Sequence, residues 1–521
     1  MKILLVYPEV SETFWSFKHA LRVVRRKSAF PPLGALTVAA MLPGSWEKRL
    51  VDLNVRALRD EELLWADYVF VSAMVAQKNS ARQVVDRCRA LGAKVVGGGP
   101  LFRVYPDDFA DIDHLVLGEA ESIISEVVRD MEAGQPKRSY RASDFPALDD
   151  IPVPLWELIN LNDYAAMAIQ YSRGCPFNCE FCDVIVMNGR VPRVKRNEQV
   201  LAELEALYSR GWRGSVFIVD DNFIGNKQKV KGLLRTIISW QQGKLRRFNF
   251  LTEASVNLAE DPELMNLMVE AGFNKVFLGL ETPVEEGLKE CGKAQNLKGN
   301  LSESVATIQR HGLAVMGGFI IGFDSDPPDV FQRQVNFIQK NGIVTAMVGL
   351  LTAIPGTRLY SRLEGEGRML FKSSGDNTDA SGSLNFITRM DRDKIIEGYR
   401  WVMNSVYSPK MYYNRMLAFL RAYRPLTRTY LARNDLLTLV RSLWYLGIVD
   451  HKSRNYYWKI MRKSISHYQG AFSEVVTMAI YGYHFRKLFW SPKLPMKLEE
   501  WLSGVSLPRI VSGPASEKLR V

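Results

Sequence analysis

The sequence predicts an α/β chain in three parts: an open parallel sheet over residues 1–135, an incomplete six-unit βα barrel over 166–370, and a mainly helical region over 371–521. Three observations carry this. In the first 135 residues near-continuous apolar strands alternate with helical segments, as in a parallel sheet covered on both faces. The alternation restarts near residue 166 and makes six βα units by residue 354, too few for a closed eight-fold barrel. Beyond residue 370 the strand pattern fades into amphipathic helical segments such as DKIIEGYRWVMNSVY and NDLLTLVRSLWYLGIV.

Size and composition set bounds on function. A chain of 521 residues suits about three domains, and 47% hydrophobic with 24% charged residues is globular rather than disordered. No run of 18 apolar residues occurs, so no spanning helix is expected. Met1–Pro8 lacks the basic flank and cleavage site of a signal peptide, and cytoplasmic residence is the expectation. The net charge is +12, but residues 401–521 hold 19 Lys and Arg against 6 Asp and Glu. The basicity thus belongs to the tail, which argues against the whole chain being a nucleic-acid binder.

The front sheet reads, in order, as strand MKILLVYP, helix FPPLGALTVAAML (30–42) opened by a proline pair, strands RLVDLNV and DYVFVSAMV, a helix through Cys88, strand KVVGGGP, and HLVLGEAE leading into a helix. Open parallel sheets bind ligands beyond the carboxyl ends of their strands. Those ends carry Ser72, Gly98, Gly99, Pro100, Gly118 and Glu119, the candidate contacts of this domain, and the triple glycine lets backbone come close to a bulky planar ligand. No Gly-x-Gly-x-x-Gly follows the first strand, so nothing marks a dinucleotide site. The Pro- and Asp-rich stretch FPALDDIPVPLWELIN lies in a linker, 136–165, expected to pack on the next domain. The barrel strands then read MAIQYSR, SVFIVDDNF, FNFLTEASV, KVFLGLET, VMGGFIIGF and VTAMVGLLTAI.

The strongest signal is RGCPFNCEFCD, which spaces Cys175, Cys179 and Cys182 as Cys-x3-Cys-x2-Cys. Three thiolates on one tight loop can hold three irons of a cubane cluster and leave the fourth iron open. An open metal position is where chemistry happens, and this one could chelate the amino and carboxylate groups of a small molecule. A structural zinc would need a fourth ligand, and the nearest histidine in sequence, His114, lies far upstream. The chain has five cysteines, an odd number that does not suit a secreted disulfide framework. Cys88 reads as a packing residue in a helix. Cys291 reads either as a small hydrophobe or as a residue facing the cavity.

The cysteine loop, placed just after the first barrel strand, resembles the Cys-x3-Cys-x-aromatic-Cys signature of radical S-adenosylmethionine enzymes. The resemblance implies a [4Fe-4S] cluster on Cys175, Cys179 and Cys182 and S-adenosylmethionine on its open iron. One electron from the cluster then breaks the sulfonium C–S bond and yields a 5′-deoxyadenosyl radical. It also implies S-adenosylmethionine contacts at the strand ends: Asp220 and Asp221 near the methionine amino group, Glu253 and Glu281 near ribose or carboxylate, and Gly318 and Gly322 of a Gly-x-Ile-x-Gly-like strand near adenine. Ser325 departs from the glutamate of the longer form of that pattern. Each acidic residue has a second reading as a cap or a local ion pair.

FPPLGALTVAAML, GGP, LGEAE and the Pro355-Gly356-Thr357 turn resemble the cobalamin-dependent subgroup of that family, which includes the hopanoid C-2 methylase. The resemblance implies a Rossmann-like cobalamin-binding domain at the front, with Ser72, Gly98, Gly99, Pro100, Gly118 and Glu119 at the cobalamin. An Asp-x-His-x-x-Gly motif is missing, so no histidine is expected on the lower face of cobalamin. The activity implied is methylation of an unactivated carbon of a small molecule or a hopanoid-like lipid, with a flavodoxin or ferredoxin as electron donor. Two other readings stand beside it: a radical cyclase using cobalamin without methyl transfer, and a non-catalytic cobalamin or iron–sulfur sensor. The basic, aromatic tail reads as a helical cap, or as a peripheral contact with anionic lipid at the inner membrane face, with nucleic acid ranked last.

Overall fold

The computed structural model describes residues 1–373, 375–378, 383–425 and 433–492. Its front sheet has six parallel strands: β1 (Lys2–Tyr7), β2 (Glu47–Asp52), β3 (Tyr68–Ser72), β4 (Val95–Gly98), β5 (His114–Leu117) and β6 (Ser139–Arg141), in the order β2-β1-β3-β4-β5-β6. The inner strands β1, β3, β4 and β5 are largely apolar because both faces are covered, whereas the edge strands β2 and β6 carry exposed polar residues. Ile3 and Leu5 pack toward the core that continues into the barrel, while Leu4 and Val6 pack with Val69, Val71, Val85 and Cys88 on the other face. Cys88 is therefore a core residue of the Lys78–Ala90 helix, and burial pushes its thiol up to about 12. The strand β6 lies inside the 136–165 stretch; three residues with one buried side chain are too short to show a period. In the same stretch Trp156 is buried, and the Tyr164 hydroxyl donates to Asp52 at 3.1 Å.

The barrel wall is a second six-stranded parallel sheet: β7 (Met167–Ile169), β10 (Ser215–Ile218), β11 (Asn249–Ala254), β12 (Phe273–Glu281), β13 (Ala314–Ile321) and β14 (Ala346–Leu350), ordered β14-β13-β12-β11-β10-β7. A two-residue antiparallel pair, β8 (Ser172–Arg173) with β9 (Arg193–Val194), flanks the cysteine loop. Burial alternates along the central strands. Val216, Ile218, Phe250, Thr252, Val276 and Leu278 are buried, while Phe217, Leu251, Glu253, Phe277 and Gly279 are half-buried. With helices over one side, the half-buried positions face an open lumen. Two front-domain rings reach these positions: Trp15 lies 5.3 Å from Phe277 and Phe30 lies 5.2 Å from Phe217.

The C-terminal helices pack on the outer helices of the barrel and on the front domain. Helices Arg392–Tyr407 and Pro409–Ala422 lie against Val330–Lys340, and Phe472–Phe489 lies against Lys18–Val24. Arg415 is fully buried there, and donates to Val406 O at 2.8 Å, Val344 O at 3.1 Å and Gln339 Oε1 at 2.7 Å. Phe485 stacks on Phe14 at 4.3 Å. Among the described residues no helix is long and apolar enough to cross a membrane. Residues 493–521 of the expected C-terminal region lie outside the described residues.

Candidate active site

The cysteine loop leaves β8 through Gly174, whose φ of +95° suits glycine. A Cβ there would also meet the carbonyls of Val191, Asn188 and Gly189 at 2.9–3.0 Å. The loop is fixed by its surroundings. The Cys175 N–H donates to Gly189 O at 3.2 Å, the Glu180 N–H to Cys291 O at 2.9 Å, and the Leu359 N–H to Glu180 O at 3.0 Å. The Glu180 carboxylate pairs with Arg362 at 2.8 Å, and Arg358 donates to Asn178 O at 2.6 Å, both from the helix that follows the Pro-Gly-Thr turn. All three loop cysteines are free of disulfides. Burial raises the Cys179 and Cys182 thiols above their ordinary value, so metal binding must displace protons from them.

Asp220, Asp221 and Asn222 grip this loop in turn. Asp220 is fully buried and accepts from Tyr171 N at 2.7 Å, Ser172 N at 2.8 Å and Ser172 Oγ at 2.6 Å. Asp221 accepts from Asn188 Nδ2 at 3.0 Å and from the Gly174 N–H. Asn222 Nδ2 donates to Cys175 Sγ at 3.8 Å. These bonds tie the Asp220 oxygens to the backbone that carries the cysteines.

The remaining strand-end residues divide in the same way. Glu253 stands at a half-buried lumen position, makes no hydrogen bond or ion pair with the other described residues, and is pushed up to about 8 by burial and by Asp221 and Asp220. Glu281, at φ +61°, pairs with Lys293 at 2.5 Å, the local ion pair of its second reading. Burial acts to lower the Lys293 pKa, but Glu281 and Cys179 outweigh it and hold the group charged. Gly318 pairs with Gly279 and Met347, and its missing Cβ makes room for the Phe277 ring, 2.9 Å from where that Cβ would stand. Gly322 N donates to Asp326 at 2.8 Å. Ser325, the departure from the family pattern, donates from N and Oγ to Glu290 at 2.8 and 2.5 Å.

At the front sheet the strand order reverses between β1 and β3, the position where such sheets take ligands. A cavity of about 400 Å³ lies there, lined by residues that include Ser11, Thr13, Ala76, Asn79, Thr378 and Phe489. Ser72, Gly98, Gly99, Pro100 and Gly118 are half-buried at the strand ends. Gly97 is different: a Cβ there would strike Ile112 and Phe102 at 2.6–2.8 Å, so it serves packing. Glu119 is also different. Its carboxylate pairs with Arg173 at 2.6 Å and Arg193 at 2.5 Å.

Residues 20–128 match the B12 binding domain, 169–338 the Radical SAM superfamily, and 357–491 a domain of unknown function, DUF4070. An uncharacterized methyltransferase of Synechocystis is 40% identical, over 93% of this chain and 91% of that protein. The hopanoid C-2 methylase of Rhodopseudomonas palustris is 35% identical, over 78% and 77%. The chain belongs to the cobalamin-dependent radical S-adenosylmethionine methyltransferases. The fold is shared with the radical S-adenosylmethionine methyltransferase TsrM of Kitasatospora setae, solved with cobalamin and a [4Fe-4S] cluster, at a TM-score of 0.59 and 17% identity over 92% of this chain and 98% of that one.

This methyltransferase thus uses a [4Fe-4S] cluster, S-adenosylmethionine and cobalamin, acts on a small-molecule or lipid substrate, and requires a reductant. Its residues fit those groups. Among the described residues no three His, Cys, Asp or Glu side chains gather for a single metal ion, whereas a cubane binds each thiolate through a different iron and spreads them wider. Gly98 and Gly99 are themselves half-buried, and a Cβ on Gly98 would meet only Val116, at 3.7 Å and beyond, so a planar ligand can come close to the backbone there. Sequence reasoning missed Arg173, Arg193, Lys293, Trp15 and Phe30. Arg173 stands two residues before the first loop cysteine and Lys293 two after Cys291, and that adjacency was the available signal.

Proposed function

We propose that this methyltransferase places a methyl group on an unactivated carbon of a polycyclic isoprenoid lipid of the hopanoid class. The observation that carries the substrate class is the apolar lumen wall, Phe217, Leu251 and Phe277, met by the Phe30 and Trp15 rings. Such a lining suits a fused-ring hydrocarbon, with Glu253 as a polar group to fix its orientation or that of the cosubstrate. The likeness to the hopanoid C-2 methylase supports the same class.

In this reading Cys175, Cys179 and Cys182 hold the cluster, and Asp221, Glu253, Glu281, Gly318 and Gly322 border the S-adenosylmethionine. Ser72, Gly98, Gly99, Pro100 and Gly118 border the cobalamin. Asp220 and Glu119 act behind these, by holding the loop and the domains in place. When bound, the cluster supplies the electron that cleaves S-adenosylmethionine and cobalamin supplies the methyl group. The chain supplies position and a lumen that shields the reaction from water. With its pKa pushed up to about 8, the Glu253 carboxyl keeps its proton at neutral pH and offers an O–H donor to the lumen. A flavodoxin or ferredoxin delivers the electron, and the basic C-terminal helices touch the inner membrane face, where the substrate resides.

Anaerobically reconstituted protein with S-adenosylmethionine, titanium(III) citrate or flavodoxin, and a hopanoid lipid tests this. The expected result is methylated lipid, 5′-deoxyadenosine and S-adenosylhomocysteine in equal amounts. 5′-Deoxyadenosine without methylated lipid would overturn the substrate class, and product without S-adenosylhomocysteine would favour cyclisation.

A further inference from the structure

The C-terminal helices leave an apolar stripe uncovered. Along Arg433–Trp444 and the turn Tyr445–Val449, the side chains Leu436, Leu437, Val440, Trp444, Ile448 and Val449 are 45–57% exposed. Their spacing puts them on one face of the helix. The stripe passes to the helix Arg454–His467 through Trp458, whose Nε1 donates to Gly447 O at 2.9 Å and whose ring lies against that glycine. Ile465, two turns further on, is 56% exposed. The opposite faces are anchored: Leu446, Tyr457, Ile460 and Met461 are buried, and Ser442 Oγ and Tyr457 OH share a hydrogen bond at 2.9 Å.

Cations surround the stripe. Residues 433–467 carry seven Lys and Arg against two Asp. Both carboxylates have arginine partners from other elements: Asp435 pairs with Arg246 at 3.3 Å and Asp450 with Arg486 at 3.2 Å. Lys459, Arg462 and Lys463 are exposed and form no ion pair with the described residues. An exposed apolar patch of this extent marks an interaction surface. A two-fold dimer through the same face would set like charges against each other. RNA would use the cations and leave the leucines and tryptophans in water.

We propose that this face docks on an anionic lipid surface, with Trp444 and Trp458 at head-group level and Lys459, Arg462 and Lys463 facing the phosphates. This deepens the membrane contact in the function proposed above, and rests on that reading, by naming the residues that make it.

The test is sedimentation of full-length, reconstituted protein with vesicles of phosphatidylglycerol and phosphatidylcholine or of phosphatidylcholine alone. The wild type should partition at least about tenfold more into the anionic vesicles, and high salt should weaken this. Val440→Ser/Trp444→Ser/Ile448→Ser should lower partition at least about tenfold. Lys459→Glu/Arg462→Glu/Lys463→Glu should lower it roughly a hundredfold. Both variants should unfold at the wild-type temperature, because the side chains are exposed. A wild type that stays in the supernatant with anionic vesicles overturns the proposal. So do variants that bind like wild type, or that instead dissolve a dimer or abolish RNA binding. Loss of docking while detergent-dispersed lipid is still methylated leaves the substrate class standing; docking without methylated lipid sinks only that class.

Discussion

Arg173 Nη1 stands 2.6 Å from Glu119 Oε2, and this contact joins the end of the front sheet to the start of the cysteine loop. Arg173 also meets Glu121 at 2.7 Å, and Arg193 takes the other oxygen of Glu119 at 2.5 Å. Beyond the cysteines, Arg103 of the front domain donates to Met187 O at 2.8 Å and Val186 O at 2.9 Å. The end of the front sheet and the cysteine loop are thus held as one unit.

Glu119→Ala should destabilise the protein by about 1–3 kcal/mol, because it takes the buried carboxylate away from two half-buried guanidiniums that keep only their other partners. Urea unfolding of the reconstituted protein measures the loss, and iron content should fall with it. Glu121 adds a pH dependence. Burial works to raise its carboxyl, but Arg173 outweighs burial and holds it below the usual range. Its stabilisation is therefore complete above the unfolded value of 4.5 and is lost as pH falls through the depressed folded value. An acid unfolding midpoint unmoved by Glu121→Gln would contradict this.

Asp220 titrates in the opposite sense. Burial pushes its carboxyl up to about 7 against the bonds from Ser172 and Tyr171, so the folded state keeps the proton over a range where the unfolded state has lost it. Its contribution is greatest at low pH and declines as pH rises through about 7. The stability difference between wild type and Asp220→Asn should shrink between pH 5 and pH 8 in urea titrations. Asp220→Asn should also bind less iron, because an amide cannot accept from both backbone N–H groups and the serine hydroxyl together.

Replacing Cys179 by alanine should abolish the visible absorbance of the reconstituted cluster. Cys291→Ala should retain it. Cys291 is buried, its Sγ donates to Leu288 O at 3.6 Å, and burial pushes its thiol up to about 12, all marks of a packing group. The cost of Cys291→Ala should be roughly 1–2 kcal/mol, a small cavity. Iron analysis of the two variants side by side decides the point.

Gly318→Ala places a methyl group 2.9 Å from the Phe277 ring. Overpacking of this kind costs about 1–3 kcal/mol. The displaced ring narrows the lumen, so lipid methylation should fall further than 5′-deoxyadenosine formation without substrate. Equal losses of the two would show that Phe277 does not border the substrate.

The front sheet was legible because its inner strands, buried on both faces, are largely apolar, and the barrel sheet because apolar strands recur between helical segments, with β12 and β13 long enough to make that signal strong. The strands β6 and β9 were not, since two or three residues carry no period, and MAIQYSR, expected as one strand, divides into β7 and β8. Chain spacing by itself determined the cysteine trio: three thiols within eight residues share a loop whatever the rest of the chain does. It likewise determined that residues 401–521 are basic and amphipathic. Only the tertiary structure decided which acidic side chains grip and which face the lumen. Ser172, the partner of Asp220, lies 48 residues away, and Arg173, the partner of Glu119, lies 54 away. A local pattern cannot report such partners, because a carboxylate at a strand end looks the same in sequence until another strand or domain arrives beside it.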